Sequence, residues 1–93
     1  MFARLAIFNT PPEGRPDDTR RTESLRTFVR GRPGFRAGYH LHQPNTGRLI
    51  SMTIWESEEA LVAGAEAVAA RPKADRRGIK PDSVEIWRVD AEF

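Results

Sequence analysis

The chain has 93 residues, with 15 Lys and Arg against 13 Asp and Glu, a net charge of +2 and no cysteine. That is one domain's worth of chain, and without cysteine neither a disulfide framework nor a thiolate zinc site can brace a small core. No apolar run approaches the roughly 20 residues that span a bilayer, and the near balance of charge gives little reason to expect a nucleic-acid partner.

The N-terminal stretch "MFARLAIFNT" lacks a long apolar core and a small-residue cleavage site, so it is read as a strand and not as a signal peptide. With the absence of cysteine, this predicts a cytoplasmic protein. Phe2 to Asn9 is mostly apolar, which suits a strand covered on both faces. "TPPEGRPDD" stops it, because prolines cannot continue a ladder. Asp17 or Asp18 is the expected cap of a first helix with an acidic first turn. Leu25, Phe28 and Val29 share one face of that helix with Thr22, while Arg20, Arg21, Arg26 and Arg30 are expected on its wet face. "GRPG" ends it.

Phe35 to His42 alternates as a second strand, with Phe35, Ala37, Tyr39 and Leu41 on one face and Arg36, Gly38, His40 and His42 on the other. "QPNTGR" is a turn, and Leu49 to Trp55 returns as the third strand of a hairpin. Ser57 is a good N-cap for a second helix, with Glu58 and Glu59 in the first turn. Its inner face carries Leu61, Gly64, Ala65 and Val68, and Pro72 marks its end or a kink. "KADRRGIKPD" is a basic connector to a fourth strand, Ser83 to Val89.

The order βαββαβ predicts an α+β, ferredoxin-like fold: a four-stranded antiparallel sheet with two helices on one face. Ile50, Met52 and Ile54 then lie on the uncovered face, with Ser51, Thr53 and Trp55 toward the helices. An apolar face without a second layer calls for a partner, and a homodimer is expected.

The stretch "PGFRAGYHLHQPNTGRLISMTIWESEEAL" resembles the antibiotic biosynthesis monooxygenase-like family. The likeness rests on Pro33, Gly34 and Phe35 opening the second strand, and on Trp55, Glu56, Ser57 and Glu59 at the joint between the third strand and the second helix. It implies that residues 1–93 form a single domain of the dimeric α+β barrel kind. The family includes quinone-forming oxygenases and haem-degrading enzymes. In the haem-degrading branch an Asn late in strand one, the Trp ending strand three and a His on the second helix work together. Asn9 and Trp55 match the first two positions, but no histidine lies between Ala60 and Gly78. With no axial ligand evident, haem degradation is disfavoured.

The resemblance then implies a cofactor-independent monooxygenase acting on a small aromatic, phenolic or quinol substrate, with Asn9 and Trp55 as catalytic residues. Asn9 offers a donor and an acceptor for a developing phenolate, and Trp55 an N–H and a flat wall. Leu25, Phe28, Ser51, Leu61, Ala65 and Val68 are expected to line the pocket, with Arg71 stabilising negative charge if it turns inward.

Each assignment has a structural alternative. Asn9 before a Thr-Pro-Pro turn can cap a strand end, and Trp55 can be a hydrophobic plug. His40 and His42 share a strand face, but no third metal ligand is obvious. Tyr39 and Trp87 read as core or interface aromatics. "GFRAGYHL" faintly resembles the aromatic strand of RNA-recognition domains, yet it falls on strand two, and strand three lacks stacking rings. The main rival function is a non-catalytic, small-ligand-binding member of the same barrel class, because no acid–base pair accompanies Asn9 and Trp55.

Overall fold

Apolar and β-branched runs become strands and the two periodic segments become helices in the computed structural model, which describes residues 1–9, 19–72 and 80–93. The elements are β1 (Phe2–Asn9), α1 (Thr19–Arg30), β2 (Phe35–His42), β3 (Arg48–Trp55), α2 (Glu58–Ala69) and β4 (Ser83–Arg88). All strand pairs are antiparallel, in the order β2-β3-β1-β4. This is the predicted ferredoxin-like sheet, with β1 and β3 at its centre.

Local chemistry explains the boundaries. Ser57 is extended (φ −146°, ψ 165°) and its hydroxyl accepts the Ala60 N–H at 3.1 Å, so one orphan donor of α2 is satisfied. The helix ends at Ala69 with Ala70 as its cap, before Pro72 is reached. The β2–β3 turn places Asn45 and Gly47 at positive φ (69° and 75°), and the Gln43 N–H donates to the Arg48 carbonyl at 2.9 Å to close it. Asp17 and Asp18, the expected caps of α1, lie outside the described residues. The first turn of α1 contains no acidic residue, contrary to the expectation, because the helix begins at Thr19 and runs directly into Arg20 and Arg21.

One strand differs from simple alternation. β2 and β3 change register between Phe35 and Ala37: Phe35 pairs with Trp55, whereas Ala37 pairs with Ile54. The extra residue, Arg36, is a β-bulge, and it flips the phase of the strand. Phe35 therefore shares a face with Gly38 and His40, not with Ala37, Tyr39 and Leu41 as period-two counting predicts.

With that correction the faces sort cleanly. Phe2, Arg4, Ala6 and Phe8 of β1 lie opposite Trp55, Thr53, Ser51 and Leu49 of β3, and this face meets the helices. Trp55 is held under Gly64 of α2, and His40 is bonded by Arg26 of α1, so both helices cover the same side. The other face carries Leu5, Ile7, Ile50, Met52 and Ile54, flanked by Tyr39 on β2 and Trp87 on β4. Tyr39 and Trp87 are more than half exposed.

Candidate functional site

The residues of the "PGF…W…S" pattern build one joint. Trp55 is 2% exposed, and its indole N–H donates to the Thr53 hydroxyl at 2.9 Å. The Phe35 ring meets it edge-on, with centroids 5.5 Å apart and planes at 81°. Gly64 lets α2 lie directly on the indole: a Cβ there would come within 2.2 Å of the ring. Gly34 serves the other side of the joint. It adopts φ +80°, a Cβ on it would sit 2.5 Å from that of Ala60, and its carbonyl accepts the Glu56 N–H at 2.8 Å. Trp55 thus fills the strand–helix corner with its polar atom already bonded.

Asn9 is elsewhere. The register sets Phe2 opposite Trp55 and Asn9 opposite Arg48, so Asn9 lies at the far end of β1, roughly 23 Å along the strand from Trp55. It also belongs to the uncovered face, whereas Trp55 belongs to the covered one. Its side-chain oxygen accepts from Arg48 Nε at 3.2 Å, and its backbone N–H donates to Asp82 at 2.6 Å. Within one subunit, a single small substrate does not reach both residues.

The expected pocket residues divide between three places. Leu61 is 1% exposed and belongs to the core, with Ala65 and Val68 half-buried on the same helix. Phe28 and Arg71 meet at the junction of the helices: Arg71 Nη2 donates to Ser24 Oγ at 2.7 Å, and its guanidinium lies 5.1 Å from the centre of the Phe28 ring. Arg32 stacks on the same ring at 4.4 Å. Arg71 is therefore buried as a strap between α1 and the end of α2, lining a separate depression with Phe28.

Leu25 and Ser51 do line a common space. A cleft of about 440 Å³ lies under α1, between it and strands β2 and β3. Its apolar walls are Leu25 and Val29 from the helix and Phe35 from the sheet, with Gly38 leaving the Phe35 ring uncovered. Ser51, Thr53, His40, Arg26 and Arg30 supply the polar part. A second space of about 220 Å³, reaching Phe8, Thr22 and Leu49, shares Arg26, His40 and Ser51 with the first.

Between the two stands a side-chain bridge. Arg26 Nε and Nη2 lie 3.1 and 2.9 Å from His40 Nδ1, and Arg26 Nη1 pairs with Glu23 at 2.6 Å. A guanidinium can only donate, so Nδ1 is the acceptor and the neutral ring carries its proton on Nε2. Arg26 and Arg30 are exposed, as expected of the wet face of α1, and His40 is exposed too, but sequence reasoning did not mark any of the three as bordering a cleft. The signal that could have found them is the i,i+4 spacing of Arg26 and Arg30 beside the matching Leu25 and Val29, which sets a basic stripe along the edge of the apolar one.

A further cation faces the helices. Arg4 sits between Thr53 and Ile86 on the covered face, and desolvation by burial holds its guanidinium below the ordinary arginine value. Among the described residues, no group of three or more His, Cys, Asp or Glu side chains comes together to hold a metal. No helix among them is long and apolar enough to cross a membrane.

This βαββαβ architecture is a fold shared with solved haem-degrading and monooxygenase proteins. The chain is similar in structure to a haem-degrading protein from Mycobacterium tuberculosis, with a TM-score of 0.68 at 22% identity over 99% of this chain and 96% of that one. It is similar to a monooxygenase from Streptomyces coelicolor, solved with nanaomycin D, with a TM-score of 0.60 at 16% identity over 99% and 89%. A substituted form of MhuD with two manganese protoporphyrin IX molecules bound per active site gives 0.64 at 23% over 99% and 96%. No protein-family profile matches the chain, and no curated protein sequence is significantly similar to it. At these identities the likeness establishes the fold.

Proposed function

We propose that this protein is a cofactor-independent monooxygenase of a small phenolic or quinol substrate, bound in the cleft under α1. The observation that carries the reading is the cleft itself, which offers apolar walls sized for an aromatic ring with hydroxyl, imidazole and guanidinium groups along one side. The balanced reaction is oxidation of a phenolic ring C–H by O₂ to a quinone carbonyl: one oxygen atom enters the ring, the other leaves as water, and the substrate supplies all four electrons. The protein's part is to hold the ring and to stabilise the phenolate that reacts. Arg26 and Ser51 both line the cleft and would serve that role, while Trp55 packs edge-on against Phe35 of the cleft wall.

The second reading is a small-ligand binder that does not turn its ligand over. It is favoured by His40, the one imidazole on the cleft wall, having Nδ1 committed to Arg26 and so not open to take a phenolic proton there. Oxygen uptake with a panel of hydroquinones and dihydroxynaphthalenes separates the two. Turnover that falls at least tenfold in Arg26→Gln supports the oxygenase. Binding of the same panel without oxygen uptake leaves the binder.

Haem is a third ligand to test, because porphyrin binding and haem degradation belong to two of the similar structures. The residues described here fit it poorly: α2 carries no histidine, and His40 is already engaged. Haemin titration is expected to give no Soret shift. A shift that disappears in His40→Ala would move the function to haem.

The same reading includes a homodimer. The uncovered face of Leu5, Ile7, Ile50, Met52 and Ile54 is the surface we assign to the partner, since a second copy would bury it on both sides at once.

A further inference from the structure

The cleft under α1 carries a second guanidinium, Arg30, that its proposed use does not employ. Its lining includes Arg26 and Arg30 and no carboxylate side chain. Arg26 is partly offset by Glu23, which stands one turn away at 2.6 Å. Arg30 makes no ion pair among the described residues. Both guanidiniums come from the same helix, at i,i+4, so they flank the mouth in a row. The hydroxyl of Ser51 adds a neutral donor on the sheet side, and the His40 ring, fixed as a neutral tautomer by Arg26, adds no negative charge. The apolar wall of Leu25, Val29 and Phe35 lies directly against this row.

We propose that the cleft selects an aromatic ligand carrying an anionic oxygen group, a carboxylate or a phenolate, with its ring against Phe35 and its charge met by Arg30 and Arg26. The inference rests on the reading of the cleft as an aromatic-ligand site and adds the ligand's charge to it. The physical reason is charge pairing at an exposed row of guanidiniums beside an apolar wall. A neutral aromatic entering the cleft gains only apolar contact, whereas an anion also converts a guanidinium without a carboxylate partner into a charge-assisted pair. Arginine suits this because its planar fork binds a carboxylate through two donors at once.

The test compares 2-naphthoate with 2-naphthamide, which has nearly the same shape and no charge, by isothermal titration calorimetry on the whole chain. We expect 2-naphthoate to bind about fivefold more tightly than 2-naphthamide, the scale of one ion pair at an exposed guanidinium. Arg30→Gln and Arg26→Gln are each expected to reduce that ratio by weakening 2-naphthoate binding, with circular dichroism confirming the fold. Raising salt should narrow the ratio in the parent protein. Equal binding of the two probes, or a ratio that neither variant alters, overturns the charge selection and leaves the aromatic site standing. If neither probe binds, both readings fall.

Discussion

At Gly64 the lack of a side chain decides how the sheet and α2 meet. Alanine there would favour the helix by roughly 1 kcal/mol on propensity alone, yet its Cβ would fall 2.2 Å from the Trp55 ring. The ring is walled by Phe35 and fixed by its bond to Thr53, so it has little room to retreat. Overpacking of this kind costs about 1–3 kcal/mol, which outweighs the propensity gain. Gly64→Ala is expected to lower the thermal midpoint by several degrees. A variant as stable as the parent would mean that the indole shifts freely and that the joint is looser than its geometry implies. The same residue-scale view accounts for Asn9. Its amide oxygen accepts from Arg48 and its backbone N–H donates to Asp82, so its hydrogen bonds lie at the end of the sheet and not at Trp55.

Among the elements, α2 was the most legible. A capping serine, two acids in the first turn and an inner stripe of small and apolar residues are local signals, and they act locally. Ser57→Ala is expected to cost about 1 kcal/mol in chemical denaturation, with Ser57→Asp close to the parent, because only the N-cap acceptor for Ala60 is at stake. Equal loss in both variants would show that the hydroxyl does something besides capping. β2 was less legible. Its apolar and polar residues alternate in sequence, and nothing in that pattern marks Arg36 as the residue that bulges. The bulge arises because Phe35 must stay beside Trp55 while the rest of the strand pairs one step out of phase. That single step puts Gly38 and His40 over the same wall as Phe35 and opens the cleft. The arginines of α1 are solvent-facing, as their sequence implies, but a helix alone does not say how close its basic stripe comes to a neighbouring strand.

For the whole molecule, the balance of buried surface is the main constraint. Among the described residues, the buried apolar side chains are Ala3, Ala6, Phe8, Trp55 and Leu61, a small core for one chain. On the other side of the sheet, Tyr39, Leu41 and Trp87 are exposed around Ile50, Met52 and Ile54. Sedimentation equilibrium at micromolar concentration is expected to give twice the 10.5 kDa chain mass, and Met52→Lys to return it to one chain by placing an unpaired charge in the centre of that face. A parent protein that sediments as one chain removes the dimer from the proposal.

The sequence by itself determined the element order, the covered and uncovered faces of β3, and the joint of Gly34, Phe35, Trp55 and Ser57, because each follows from periodicity, capping or turn chemistry within a few residues. Only the tertiary structure decided that Asn9 and Trp55 stand at opposite ends and on opposite faces of the sheet. It alone showed that Arg71 is a strap between helices and that Arg26, Arg30 and His40 border a cleft. Those relations depend on strand register and on one bulge, and a shift of one residue there reverses which side chains meet.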